Sequence, residues 1–248
     1  MKKIALVLMA LLFGSEAFAH FGVVKTSNSV VEEAKDAKII VDFEFTHPFM
    51  QAFMNLEKPE ETGVFINGKK ELFTNLQVHK KGGLDTYQAN YELKEPAMYS
   101  FYMIPKPYFE PAENKFIRHI TKTIVNAYGY GEGWDKPLSL KAEILPLTRP
   151  YALYKGSVFS GVVYYKGKRA KNIIVEVEYY NTQGLKAPNE DFITQEVKTN
   201  ENGEFSFALP FAGWWGFAAL IDDDETIKKD NKTYPVELGA VLWVETKE

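Results

Sequence analysis

The chain has 248 residues, with 29 Lys and Arg against 33 Asp and Glu, four His, no Cys and a formal net charge of −4. A hydrophobic share of 46 % and an aromatic share of 15 % are enough to fill a core and exclude global disorder. The slightly acidic balance argues against a protein that neutralises many nucleic-acid phosphates, and without Cys there is no disulfide framework, thiolate metal site, iron–sulfur cluster or cysteine nucleophile.

Residues 1–19 read as a cleavable export signal. Lys2 and Lys3 form a positive start, Ile4 to Phe13 is an almost unbroken apolar run, and Ala17-Phe18-Ala19 is a small-x-small cleavage pattern. The run is shorter than the ~20 residues a permanent span needs, and no later stretch is long and apolar enough to cross a bilayer. The expectation is an exported, periplasmic chain that is not membrane-spanning after cleavage. Cleavage after Ala19 makes His20 the first residue, and its amine and imidazole Nδ1 then close a six-membered chelate. The α-amine pKa of about 7.7–8.0 lets a metal displace the proton near neutrality, and such nitrogen donors suit nickel, copper, cobalt and zinc.

From Val23 onward short apolar or alternating runs are broken by polar turns. Ile39, Val41, Phe43, Phe45 and His47 share one face of a predicted strand, with Asp42, Glu44 and Thr46 on the other. Gln51 to Leu56 is the one candidate for a helical turn. Val64-Phe65-Ile66 runs into the hairpin-type turn Asn67-Gly68, Tyr87, Ala89 and Tyr91 alternate, and Tyr99 to Ile104 and Phe116 to Val125 read as further strands. Leu147-Thr148-Arg149-Pro150 suggests a boundary, predicting an N-terminal sandwich over residues 20–148 and a second over 149–248. In the second, Val158 to Val163, Ile173 to Tyr179, Gly213 to Leu220 and Gly239 to Val244 read as strands, and Val197 to Phe207 as a strand–turn–strand unit. The fold class predicted is all-β, two antiparallel β-sandwich domains. The element Thr199 to Phe205, of pattern T-x-x-x-G-x-F, resembles the strand link of prealbumin-like or carboxypeptidase-regulatory-like modules.

Candidate chemistry centres on histidine. His47 ends the apolar face of its strand before Pro48, and His119 lies on the same side as Ile117 and Thr121. A lone imidazole on such a face is more often a hydrogen-bonded core residue than a ligand. Two of them together with an N-terminal His make up to four nitrogen donors, a set suited to nickel(II) or copper(II). His79, in a polar basic turn, reads as a solvated surface residue. Asp222-Asp223-Asp224-Glu225 lacks the Gly and the terminal Glu of a calcium loop and reads as a solvated loop. Glu176 and Glu178 read as an exposed strand face, Asp135 as a loop carboxylate able to support a metal site, and Trp214-Trp215 as core packing. Phosphate-loop, Ser–His–Asp and His-Glu-x-x-His patterns are absent.

Taken together, Ala19-His20-Phe21-Gly22, Thr46-His47-Pro48-Phe49, Phe116-Ile117-Arg118-His119 with Thr121-Lys122, Gly133-Trp134-Asp135, Glu143 to Thr148, Val175 to Glu178 and Gly213 to Phe217 resemble the periplasmic component of nickel and cobalt uptake transporters. The resemblance covers nearly the whole mature chain. It implies a non-enzymatic metal-binding protein serving the membrane subunits of an energy-coupling-factor or ATP-driven importer, with His20, His47 and His119 as metal ligands. Nickel is the expected ion, with Co2+ and Cu2+ as alternatives. The competing readings are an exported copper carrier, a copper monooxygenase that grips its metal through an N-terminal His, and a purely structural sandwich.

Overall fold

The computed structural model describes residues 20–248; the export signal expected over residues 1–19 lies outside the described residues. Strands dominate, and the helical segments among the described residues are single 3-10 turns at Ala34–Asp36 and Glu190–Phe192. In chain order the strands are β1 (Phe21–Thr26), β2 (Val30–Val31), β3 (Lys38–His47), β4 (Ala52–Phe53), β5 (Glu61–Ile66), β6 (Lys69–Leu72), β7 (Gln77–Lys81), β8 (Leu84–Glu92), β9 (Ala97–Ile104) and β10 (Tyr108–Glu110). They continue as β11 (Lys115–Ala127), β12 (Ala142–Pro146), β13 (Leu153–Tyr154), β14 (Val158–Tyr165), β15 (Lys168–Arg169), β16 (Ile174–Tyr179), β17 (Gln195–Lys198), β18 (Glu204–Ala208), β19 (Gly213–Lys229) and β20 (Lys232–Lys247).

An eleven-stranded sheet forms the centre, in the order β17-β16-β19-β20-β11-β9-β5-β6 with β2, β10 and β13 attached. A smaller sheet, β1-β3-β8-β7 with β4, pairs its apolar side chains with part of it: Ile39, Val41 and Phe43 meet Tyr99, Phe101 and Val125 in one core. The sheet β12-β14-β15 with β18 builds the other core, where Ile144, Phe159 and Phe205 meet Val177, Phe217 and Leu242. The all-β sandwich architecture is therefore as the strand patterning predicts. Three pairings depart from a purely antiparallel scheme: β11 and β20 run parallel from Phe116↔Val236 to Thr123↔Trp243, and the short β2 and β13 pair parallel with β11 and β20.

Local chemistry explains the individual elements. Alternation along β3 buries Ile39, Val41, Phe43 and Phe45, and Asn67 and Gly68, with φ of 50° and 75°, make the tight turn between β5 and β6. The Thr199-to-Phe205 element does not join hairpin partners. β17 pairs with β16 and β18 with β14, so the element carries the chain from one sheet to the other. Gly203 sits there at φ 74°, where a Cβ would stand 3.1 Å from the Ala170 carbonyl oxygen.

Two expectations are corrected. Gln51 to Leu56 forms no helical turn: Gln51, at φ 52°, reverses the chain so that β4 pairs back onto β3 through Thr46↔Phe53 and His47↔Ala52. Asp222 to Glu225 is not a loop but part of β19, at a register shift against β20 between Asp222 and Thr226. Lys141 ion-pairs there with Asp223 and Glu225, and the Tyr165 hydroxyl donates to Asp223 at 2.7 Å. Burial pushes the Asp223 carboxyl up, but the Lys141 and Tyr165 hydrogen bonds prevail and hold it at about 2.

Candidate metal site

β1 and β3 pair antiparallel through Phe21↔Thr46, and one step further this register sets residue 20 opposite His47. Cross-strand neighbours of this kind hold their Cβ atoms about 4.5–5.5 Å apart. The two imidazole centroids lie 4.5 Å apart, 48° from coplanar. Sequence spacing alone does not predict this meeting; antiparallel register does.

Three further groups fix the His20 ring. Phe45 stacks on it at 5.7 Å and Tyr108 flanks it at 5.8 Å. The hairpin of β10 and β11, in register Glu110↔Lys115, brings Glu110 beneath it, with Oε2 3.5 Å from His20 Nε2. The other Glu110 oxygen accepts the Ala112 N–H at 3.0 Å, which orients the carboxylate. Burial and the neighbouring His47 lower the His20 pKa to about 4, against the pull of Glu110 and Glu113, so the ring is neutral at pH 7 with its lone pair available. Sequence reasoning missed Glu110, and nothing in the sequence marks it out among 33 acidic residues.

His119 is also in this corner, but its Nδ1 is already occupied. It is 3 % exposed, and its Nδ1 accepts the Gly22 N–H at 3.2 Å. A neutral imidazole that accepts at Nδ1 carries its proton on Nε2, and burial, with His20 and Lys115 adding, lowers its pKa to about 3. Two glycines make room for the ring: at Gly239 a Cβ would stand 2.8 Å from Nε2, and at Gly22 one would meet the His119 Cβ at 3.0 Å. The Gly22 carbonyl accepts the Trp243 indole N–H at 2.9 Å, tethering β1 on both sides of that residue.

Acidic residues crowd the same side of the central sheet. Lys115 bridges Glu113 and Glu237, each at 2.5 Å. The expected exposed face of Glu176 and Glu178 is corrected: Glu178 is 1 % exposed and accepts the Phe49 N–H at 3.2 Å and the Thr194 hydroxyl at 2.5 Å. β1 and the turn after His47 cover this face, which strand periodicity does not reveal. Burial is the chief cause raising Glu176 to about 8 and Glu178 to about 7; Glu178, Glu237, Glu196 and Glu113 add to the rise at Glu176.

The remaining candidates lie elsewhere. His79 is exposed as predicted, though on the edge strand β7 rather than in a turn. Asp135 lines a separate groove with Lys136, Leu140 and Lys141. Trp215 is buried at the start of β19. Among the described residues no group of three or more His, Cys, Asp or Glu side chains forms a metal-holding cluster. The corner offers two facing imidazoles, a carboxylate at one of them, and the backbone nitrogen of residue 20.

The family described as "Domain of unknown function (DUF4198)" matches residues 17–223. The chain belongs to this family. No curated protein matches it. Among solved structures, the D0-D1 domain of Intimin is similar at 11 % identity, covering 93 % of this chain and 100 % of that one, with a TM-score of 0.25. The adhesin InvE of Yersinia pseudotuberculosis gives 11 % identity, 88 % and 58 % coverage and a TM-score of 0.23. The fibronectin(III)-like modules of Clostridium thermocellum CbhA give 8 %, 89 % and 95 %, and 0.21. Likeness at this level carries no argument about function.

Proposed function

We propose that this protein is an exported carrier of nickel, with cobalt as second ion, that delivers its metal to the membrane subunits of an importer. The observation that carries the reading is the ring-to-ring approach of His20 and His47 at 4.5 Å. Removal of residues 1–19 would turn the nitrogen of residue 20 into a free amine beside that pair. His20 would then chelate through its amine and Nδ1, and His47 would supply a third nitrogen, a donor set suited to late divalent transition metals. The His20 Nε2–H would point to Glu110, the carboxylate–imidazole arrangement that commonly orients a ligating histidine.

In this reading His119 has a supporting role rather than the direct one the resemblance implies. Ligation by its Nδ1 would displace the Gly22 N–H, and ligation by its Nε2 would move the ring proton to Nδ1, against that same donor. The importer partner rests on the family resemblance of the sequence blocks. The same three nitrogens also suit copper(II), which outcompetes nickel in most nitrogen sites. The second reading is therefore a copper carrier or a copper monooxygenase, which predicts peroxide release from the copper-loaded chain with a reductant and oxidised sugars from chitin or cellulose.

Isothermal titration of nickel into the chain beginning at His20, and into the same chain with one Gly placed before it, tests the proposal. The expected result is at least a tenfold weaker affinity for the extended chain. Equal affinities would remove the amine from the site and overturn the chelate.

A further inference from the structure

β10 is a strand of three residues, bonded to β11 through Tyr108↔Ile117, Phe109↔Phe116 and Glu110↔Lys115. A pairing this short is marginal by itself. Yet two of the groups against His20, Tyr108 and Glu110, are carried on it. Successive side chains of a strand point to opposite faces, so Phe109, between those two, faces away from His20.

Phe109 meets the tip of the β19–β20 hairpin. Past the register shift between Asp222 and Thr226, these strands pair with each other from Thr226↔Pro235 to Lys229↔Lys232. The ladder with β11 starts only at Val236, and that with β16 covers Trp215 to Ala219, so among the described residues no third strand flanks the tip. Its Tyr234 ring stands 4.8 Å from Phe109, edge to face at 70°. Phe116 completes a triangle, 5.1 Å from Phe109 and 6.1 Å from Tyr234. Lys229 Nζ lies 3.9 Å over the Phe109 ring. Edge-to-face and cation–π contacts depend on direction as well as on area, so this cluster fixes how Phe109, and with it β10, is turned.

We propose that the hairpin tip is a clasp for the metal corner, in which Tyr234 and Lys229 are positioning residues that hold Phe109 and, through β10, set Glu110 against His20. The clasp rests on the metal-carrier reading above and deepens it. Loosening the tip frees β10, and the carboxylate that orients the His20 ring moves with it. The amine and imidazole nitrogens of the chelate are not on β10, so nickel binding weakens rather than vanishes.

Nickel titrations across a double-mutant cycle, on the chain beginning at His20, test this. Tyr234→Ala is expected to weaken binding by about tenfold, within the ~10–100-fold that the loss of an orienting carboxylate costs. Tyr234→Phe, which keeps the ring, should leave the affinity unchanged. In a chain already carrying Glu110→Ala, Tyr234→Ala should have no further effect, because residues that act through one another do not add. Lys229→Ala, a change at an exposed position that keeps all three rings, should weaken binding by a smaller factor, and it decides the matter if Tyr234→Ala fails to fold. Unchanged affinity in these alanine variants, or an equal loss with and without Glu110, overturns the clasp and leaves the carrier reading intact. An unmodified chain that takes up no nickel overturns both.

Discussion

The partners of the ring nitrogens divide the labour among the histidines. The Gly22 N–H on His119 Nδ1 and the Glu110 carboxylate near His20 Nε2 both favour the Nε2–H tautomer, but only in His20 does that leave Nδ1 open to a metal. Removing Glu110 should cost what the loss of such an orienting carboxylate usually costs, a 10–100-fold drop in metal affinity. Nickel titration of Glu110→Ala checks this, with circular dichroism confirming an intact fold. Gly239 is a sharper steric test. A Cβ there would run into the His119 ring, so Gly239→Ala should destabilise the protein by about 1–3 kcal/mol, the usual range for overpacking. Urea unfolding measures it; a stability equal to that of the unmodified chain would show that the ring has room to move.

Strands β16 and β12 carry the charged groups whose burial governs stability. Glu176 and Glu178 on β16 have folded pKa values of about 8 and 7, above the ordinary value of 4.5. A carboxyl raised in the folded state contributes stability that is complete below its unfolded pKa and is lost as pH rises through its folded one. The metal-free protein should therefore lose stability between about pH 4.5 and 8, and Glu176→Gln should flatten that decline. Melting temperatures across this window decide it. On β12 the Glu143 carboxylate accepts from Lys122 Nζ at 2.8 Å and from the N–H groups of Leu138 and Ser139, each at 3.1 Å. Lys122 is 2 % exposed and burial lowers its pKa. Removing one partner strands a buried charge, at a cost of about 3–5 kcal/mol. Glu143→Ala should show a loss of that size in urea, and Glu143→Gln a smaller one, because its amide oxygen still accepts.

Across the whole molecule, the central sheet puts one core on each side and leaves the histidine corner where β1 crosses β11. β1 pairs with β3 in the small sheet while Phe21 and Val23 pack on Val241 and Trp243 of the large one. The site is therefore held by both sheets. Much of this was readable: β3, the Asn67–Gly68 turn, β9, β11 and β14 follow from alternation and turn chemistry, His47 from its place at the end of such a strand, and His20 from the expected cleavage after Ala19. The lengths of β19 and β20 were not, because the end of β19 and the start of β20 are charged and look like loops. Lys141, Tyr165 and the β20 backbone satisfy those groups only in three dimensions.

Patterning along the chain determined the all-β architecture, the strand faces and the histidines worth watching, because alternation and turn geometry act over a few residues. Tertiary structure decided which distant strands meet: the parallel pairing of β11 with β20, the cover over Glu178, and the approach of Glu110 to His20. It also decided that His119 keeps its proton on Nε2, since a tautomer depends on the donor across the gap, here the Gly22 amide 97 residues away. Strand register and burial are properties of the assembled sheets, and no local run of residues encodes them.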